Sequence, residues 1–216
     1  MSKSIKDDYK KKINLNLVAY LNLPEKLQTQ AYCVSHKQVP TIAQIEMAVQ
    51  SYPIENEVGK RDQALMAFLI LTGIRVEALS TIRIKHLFID EEYLNQTPLE
   101  VDTKKGKQIH TWFFPVGDYF KEIVRNWYCY LVNTRKWDYD SPLFPKTDLC
   151  LDENAQFQRT TLSNEPWQST TAIRDIVKKG FLNVDLPYYN PHIFRDTLVC
   201  LAYEVCKTPE EFKAWS

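Results

Sequence analysis

The chain has 216 residues, 44% hydrophobic and 12% aromatic, enough to bury one sizeable core. Its 27 Lys and Arg side chains balance 27 Asp and Glu, which argues against a protein that coats nucleic acid non-specifically, although a neutral total can hide a basic face. No apolar run reaches the roughly 18 residues of a membrane span, and the first residues lack the apolar stretch of a signal peptide, so a soluble, cytoplasmic protein is expected.

The cysteines form no C-x-x-C pair; they are Cys33, Cys129, Cys150, Cys200 and Cys206. Their odd number and apolar surroundings predict reduced core thiols rather than a disulfide or zinc framework. We therefore assign no metal. Val58-Gly59-Lys60 has no glycine-rich run before it, so it is not a phosphate-binding P-loop.

The first 40 residues differ in character from the rest. They combine a lysine-rich start, an apolar patch and a polar connector, which predicts an N-terminal arm or linker segment over residues 1–40. From Thr41 the pattern T-x-x-Q is a capping box that opens a helix. A compact domain is therefore expected over residues 41–216.

The most informative stretch is the apolar helix that ends near Gly73, which suits a left-handed C-cap. Arg75 is then expected to open a short second helix, with its guanidinium at the edge of the buried layer beside exposed N–H groups. Such a place attracts an anion. The alternative is that Arg75 forms a structural salt bridge with Glu77 or another carboxylate.

Two β-prone runs follow, Leu99–Thr103 and Gln108–Phe114, separated by Lys104-Lys105-Gly106-Lys107. This pattern predicts a hairpin with lysines on its turn and with Gly106 at a positive φ. The alternative is that the lysines merely keep a sheet edge soluble.

Further helices are predicted after the hairpin. An amphipathic helix opens at Asp118, residues 146–166 form a surface loop, and a helix runs from about Ser169 to Lys179 and stops at Gly180. Thr208-Pro209-Glu210-Glu211 has the form of another helix start.

A second informative stretch is Asn190-Pro191-His192-Ile193-Phe194-Arg195. Asn190 is a good N-cap and Pro191 a good first residue, so His192 and Arg195 are expected one turn apart on one face of a helix start. That end of a helix favours an anion. The alternative for His192 is a buried histidine bonded to the backbone.

Taken in order, T-G-I-R-x-E-A-L, the T-K-x-G-K turn and P-H-x-x-R resemble the conserved motifs of the tyrosine recombinases, the phage-type integrases. The resemblance covers roughly residues 41–215. It implies a tyrosine recombinase catalytic domain, mainly α with a small antiparallel β-sheet (α+β). The catalytic residues that it implies are Arg75, Lys104 (with Lys105 as the alternative), His192 and Arg195.

The same resemblance implies site-specific DNA recombination and integration, by strand cleavage and rejoining through a 3′-phosphotyrosyl intermediate without metal or cofactor. Two arginines would neutralise the phosphate oxygens, Lys104 would protonate the leaving 5′-oxygen, and His192 would position the phosphate or assist proton transfer. The implied partner is double-stranded DNA at a specific recombination site, bound by a tetramer of the full-length parent, with no membrane involved.

The chain also departs from the family pattern. Asp196 stands where the family usually has a histidine, and the family's later His or Trp and its nucleophilic tyrosine have no match, because Tyr203 lies too close behind Arg195. We therefore expect a fragment that ends before the nucleophile and is inactive alone. Two alternatives remain: a type IB topoisomerase-like domain, and a non-catalytic DNA-binding or interaction remnant whose arginines are structural.

Overall fold

The fold is organised around one buried helix, α2 (Glu57–Thr72), in the computed structural model, which describes residues 38–102, 106–148, 150–151, 157–158 and 161–215. Every residue from Ala64 to Thr72 is buried. Four other helices contact α2, so this second part of the helix has no face left for solvent and is largely apolar all round. Val39–Ser216 form one compact unit. The predicted N-terminal arm lies almost wholly outside the described residues.

The remaining elements follow in chain order. The other described helices are α1 (Ile42–Gln50), α3 (Val76–Thr81), α4 (Asp118–Cys129), α5 (Thr171–Leu182), α6 (Ile193–Val205) and α7 (Pro209–Trp215). A 3₁₀ turn (Ile84–His86) follows α3, and a π-helical turn (Tyr130–Thr134) extends α4. None of the helices in the described ranges is long and apolar enough to cross a membrane.

The sheet is small and antiparallel. Its described strands are β1 (Leu87–Phe88), β2 (Tyr93–Gln96) and β3 (Ile109–Trp112), in that spatial order. A second hairpin pairs β4 (Cys150–Leu151) with β5 (Phe157–Gln158), inside the predicted surface loop. The predicted fold class, mainly α with a small antiparallel sheet, is confirmed.

Local helix-start signals are confirmed by their hydrogen bonds. The Thr41 hydroxyl accepts the Gln44 N–H at 3.2 Å, and the Gln44 side chain accepts the Thr41 N–H at 2.9 Å. At α7 the Glu211 N–H donates to Thr208 Oγ1 at 3.2 Å, and Glu211 Oε2 accepts the Thr208 N–H at 3.2 Å. Both helices therefore begin with a reciprocal capping box.

The predicted strand over Leu99–Thr103 is wrong for its described residues, because β3 pairs with β2 instead. The cause is Pro98, which has no N–H for a sheet ladder and favours the second position of a turn. The Thr97 carbonyl accepts the N–H groups of Glu100 at 3.0 Å and Val101 at 2.9 Å. The chain therefore turns where an extended strand was predicted.

Gly180 does not end α5, as was predicted, but lies inside it. A Cβ at this position would lie 2.8 Å from the Tyr52 hydroxyl and 3.1 Å from Met66 Cε. The Tyr52 hydroxyl donates to the Ile176 carbonyl, which fixes the ring against α5. Gly180 is therefore needed for close packing rather than for a helix stop.

The described thiols are free, but their predicted core location is wrong for two of them. Cys129 and Cys200 are exposed and Cys206 is partly exposed. Cys129 and Cys200 lie on the solvent sides of amphipathic helices, whose other faces carry the buried residues. Cys33 and the side chain of Cys150 lie outside the described part of the chain.

Replacing Gly180 with alanine tests this packing. The substitution gains helix propensity but overpacks the contact with Tyr52, and we expect a net loss of about 1–2 kcal/mol in the free energy of unfolding. The measurement is urea denaturation. In a Tyr52→Phe background, which removes the hydroxyl, Gly180→Ala should cost less. An equal cost in both backgrounds, or a gain, would show that the Tyr52 contact does not restrict this position.

Candidate functional site

The site is built on the left-handed turn that ends α2. Gly73 has φ 55°, and its N–H donates to the Leu69 carbonyl at 2.9 Å. A Cβ at Gly73 would lie 3.0 Å from Leu198 Cδ1 and 3.8 Å from Arg195 Cγ, both on α6. Glycine therefore serves two needs here, the backbone conformation and the close approach of α6.

Arg195 reaches this turn from α6. Its Nη1 donates a hydrogen bond to the Gly73 carbonyl across 122 positions of sequence. Burial lowers the pKa of the half-buried guanidinium, and the positive charge of Arg75 lowers it further, while Asp196 opposes the shift. The two arginines, from separate segments, are therefore electrostatic neighbours at one turn.

Arg75 occupies the N-cap position of α3, as predicted, and is half-buried. In the part of the chain that the structure describes, its guanidinium makes no hydrogen bond or ion pair with a carboxylate. The Glu77 carboxylate lies 3.8 Å from Arg174 Nη2 on α5 instead. The predicted alternative, a salt bridge between Arg75 and Glu77, is therefore wrong.

A structural arginine looks different in this protein. Arg61 is 3% exposed, and its guanidinium donates to Asp62 Oδ1 at 2.9 and 2.6 Å and to the Pro145 carbonyl at 2.9 Å. Its charge is therefore paired and its donors are engaged within the fold. Arg75 has no comparable set of partners among the described residues, which leaves its donors available to a ligand.

His192 lies at the start of α6, one turn before Arg195. The Asn190 side chain accepts the His192 N–H at 2.9 Å, and the His192 carbonyl accepts the Arg195 N–H at 3.0 Å. The regular helix begins at Ile193 with His192 as its N-cap, so the prediction of Asn190 as N-cap and Pro191 as first helical residue is wrong by two positions. His192 is exposed, so the alternative of a buried histidine is wrong.

The predicted lysines, Lys104 and Lys105, lie outside the described residues. Directly after them, Gly106 has φ 60°, so the predicted positive φ is confirmed. The structure therefore brings Arg75 and Arg195 together and places His192 on the helix of Arg195. The position of the lysine stays a prediction.

Sequence reasoning missed an ionic network beside α3. Glu100 accepts Lys85 Nζ at 2.6 Å and His86 Nε2 at 2.8 Å, and Lys85 also lies 2.9 Å from Asp140. Lys85 and Glu100 are 15 positions apart, so no local spacing signals the contact.

The hydrogen bonds of this network determine which ring nitrogen of His86 carries the proton. His86 Nδ1 accepts the Arg83 N–H at 3.0 Å, so the proton of a neutral ring lies on Nε2 and points at Glu100. Burial lowers the pKa of His86, partly opposed by Glu100. Hydrogen bonds from Lys85 and His86 hold the pKa of Glu100 at about 2.

Comparison with solved structures identifies the fold. The chain matches the crystal structure of XerA recombinase with a TM-score of 0.54 and 15% identity, over 81% of this chain and 52% of that one. The chain thus spans about half the length of XerA. The recombinase catalytic-domain fold that the motifs predicted is confirmed at the level of architecture.

Two further structures are similar. The integrase of mycobacterium phage Brujita has a TM-score of 0.44 and 15% identity, over 76% of this chain and 43% of that one. XerH site-specific recombinase, in a post-cleavage complex with a palindromic difH substrate, has a TM-score of 0.49 and 13% identity, over 79% of this chain and 44% of that one. No protein-family model matches the sequence, and no curated protein matches it.

Two glycines with similar positive φ angles, 55° at Gly73 and 60° at Gly106, allow a matched test of the turn. We expect Gly73→Ala to lower the free energy of unfolding by about 2–4 kcal/mol, because the left-handed conformation costs about 1–2 kcal/mol and the new Cβ presses on Leu198. Gly106→Ala should cost only the conformational part, since no described heavy atom lies within 4 Å of its Cβ.

The measurement is thermal or urea denaturation of both variants beside the wild type. The difference between the two costs isolates the contact of Gly73 with α6. Equal costs would mean that α6 does not press on this turn, contrary to the geometry described above.

Proposed function

We propose that this chain is the phosphate-binding part of a tyrosine-type site-specific recombinase, which acts on double-stranded DNA by strand cleavage and rejoining. The observation that supports the proposal is the pairing of Arg75 with Arg195. The Arg195 guanidinium is bonded to the Gly73 carbonyl, two positions before Arg75, and the charge of Arg75 acts on it. Arg75 has no carboxylate partner among the described residues. Like charges held together in this way are stabilised by an anion.

A phosphodiester is the anion whose chemistry suits this pair. Nucleophilic attack on its phosphorus puts extra negative charge on the two non-bridging oxygens, and guanidinium forks donate bidentately to such oxygens. Donors already fixed in place stabilise that charge without reorganising during the reaction. Among the described residues, the Arg195 guanidinium bonds only the Gly73 carbonyl, through Nη1, so other donors of this side chain remain for a ligand.

The other roles in the proposal follow the motif resemblance. Lys104, or Lys105 in its place, protonates the leaving 5′-oxygen as a general acid. His192 positions the phosphate or assists proton transfer at the nucleophile. No tyrosine in the 216 residues is assigned as nucleophile, so these residues alone are expected to bind DNA without cutting it. The full-length protein would act as a tetramer on a specific recombination site.

A double-mutant cycle on DNA tests whether the two arginines share one phosphate. Binding to a fluorescent duplex is measured by anisotropy at several salt concentrations. We expect Arg75→Ala and Arg195→Ala each to weaken binding, and no variant of the pair to lower the slope of log K against log salt by more than about 0.9, the value for one phosphate. The double variant should lose little more than either single variant, because both side chains hold the same group.

Arg125→Ala is the matched control. Arg125 is an exposed arginine whose Nη1 lies 2.7 Å from Asp90 Oδ1, and its removal should leave the slope unchanged. If all three single variants reduce binding equally, the protein attracts DNA only through general surface charge. If neither Arg75 nor Arg195 matters, the non-catalytic alternative with structural arginines is correct.

A further inference from the structure

Two side chains from different elements pack against the turn at Gly73. A Cβ at this glycine would lie 3.0 Å from Leu198 Cδ1 on α6 and 3.6 Å from Phe114 Cε2, in the segment that follows β3. The Phe114 N–H also donates to the Leu71 carbonyl at 2.8 Å, in the last turn of α2. The turn whose carbonyl accepts Arg195 is therefore in contact with both α6 and the end of the sheet.

Trp215, on α7, contacts both of the residues that pack against Gly73. Its ring lies against the Phe114 ring, with 5.1 Å between the centroids and 44° between the planes. Its indole Nε1–H donates to the Leu198 carbonyl at 3.0 Å. Arg195 and Leu198 are three positions apart on α6, so they are neighbours on that helix. One side chain thus connects α7 to the two elements that surround the arginine turn.

Trp215 is not suited to contact a phosphate itself. An indole has a single hydrogen-bond donor, and the Leu198 carbonyl already accepts it. The side chain is also uncharged, so its removal leaves the number of cations that face DNA unchanged. Any effect of Trp215 on DNA binding must therefore pass through the residues that it contacts.

We infer that Trp215 is a positioning residue: it holds Phe114 and Leu198 against the Gly73 turn and so keeps Arg195 in place for a phosphate. The inference rests on the proposed function, in which the arginines bind that phosphate. Because the Gly73 carbonyl accepts Arg195 Nη1, a turn that opens would release the guanidinium. Side chains that must first be ordered bind a ligand less tightly than side chains already in place.

A second aromatic contact of α7 supplies a matched control. The Phe212 ring packs against the Tyr203 ring of α6, with 4.9 Å between the centroids. Neither of these two residues supplies any of the three heavy atoms nearest to a Cβ at Gly73. If α7 only stabilised the fold, the loss of Phe212 or of Trp215 would affect the turn alike. A positioning role instead predicts that only Trp215 affects it.

The first arm of the test uses the protein without DNA. In Trp215→Ala, we expect the amides of Gly73 and Phe114 to exchange with solvent about tenfold faster by NMR, because local opening of the turn becomes easier. Trp215→Phe keeps a ring but lacks the N–H, so its effect should be smaller; it replaces Trp215→Ala if that variant does not fold. Phe212→Ala should change neither amide. Unchanged exchange in the Trp215 variants would overturn the inference.

The second arm measures affinity for a DNA duplex in a double-mutant cycle. Trp215→Ala should weaken binding about threefold to tenfold in the wild type and less than about twofold in an Arg195→Ala background, because the tryptophan acts through that arginine. If the full loss persists without Arg195, or if Phe212→Ala weakens binding equally, the positioning role is wrong while the proposed function stands. If Arg75→Ala and Arg195→Ala bind DNA like the wild type, the proposed function fails, and the inference with it.

Discussion

The hydrogen bond from Arg195 to the Gly73 carbonyl joins the two segments on which the site depends. The end of a helix carries carbonyl groups without helical partners and a partial negative charge, which stabilises a cation. Arg195 occupies that place at the end of α2, and the left-handed conformation of Gly73 turns the chain so that Arg75 follows at the start of α3. Because α2 is buried along most of its length, neither partner can shift without disturbing the core.

The arrangement has an electrostatic cost that the rest of the fold must offset. The charge of Arg75 and the burial of Arg195 both lower the pKa of Arg195, so the pair is less stable than two separate surface arginines would be. Arg61, in contrast, is a structural arginine whose charge is paired with the neighbouring carboxylate of Asp62. A chain with zero net charge thus concentrates positive charge at one turn, where a phosphate would relieve it.

Local chemistry made part of this structure predictable. The helix cap at Thr41 and the left-handed helix end at Gly73 form through nearby residues, so the local sequence pattern was sufficient to predict both. Gly180 was wrongly predicted as a helix stop, because its role is to leave space for the ring of Tyr52, which is distant in sequence. The strand predicted after Pro98 does not form, because proline has no backbone N–H for a sheet and this outweighs the β-propensity of the residues that follow. The proximity of Arg75 and Arg195 was predicted from the order of three motifs along the chain, and no local pattern indicated it. The Glu100 network could not be predicted, because its members come from separate segments of the sequence.

The central claim is that two arginines from distant segments bind one phosphate group. It is tested most directly by titrating the protein with dimethyl phosphate and following the Nε–H resonances of Arg75, Arg195 and Arg61 by NMR. The account predicts that the Arg75 and Arg195 signals move together with a single apparent Kd, while buried Arg61 does not respond. Movement of only one of the pair, different Kd values for the two, or no movement of either would contradict it.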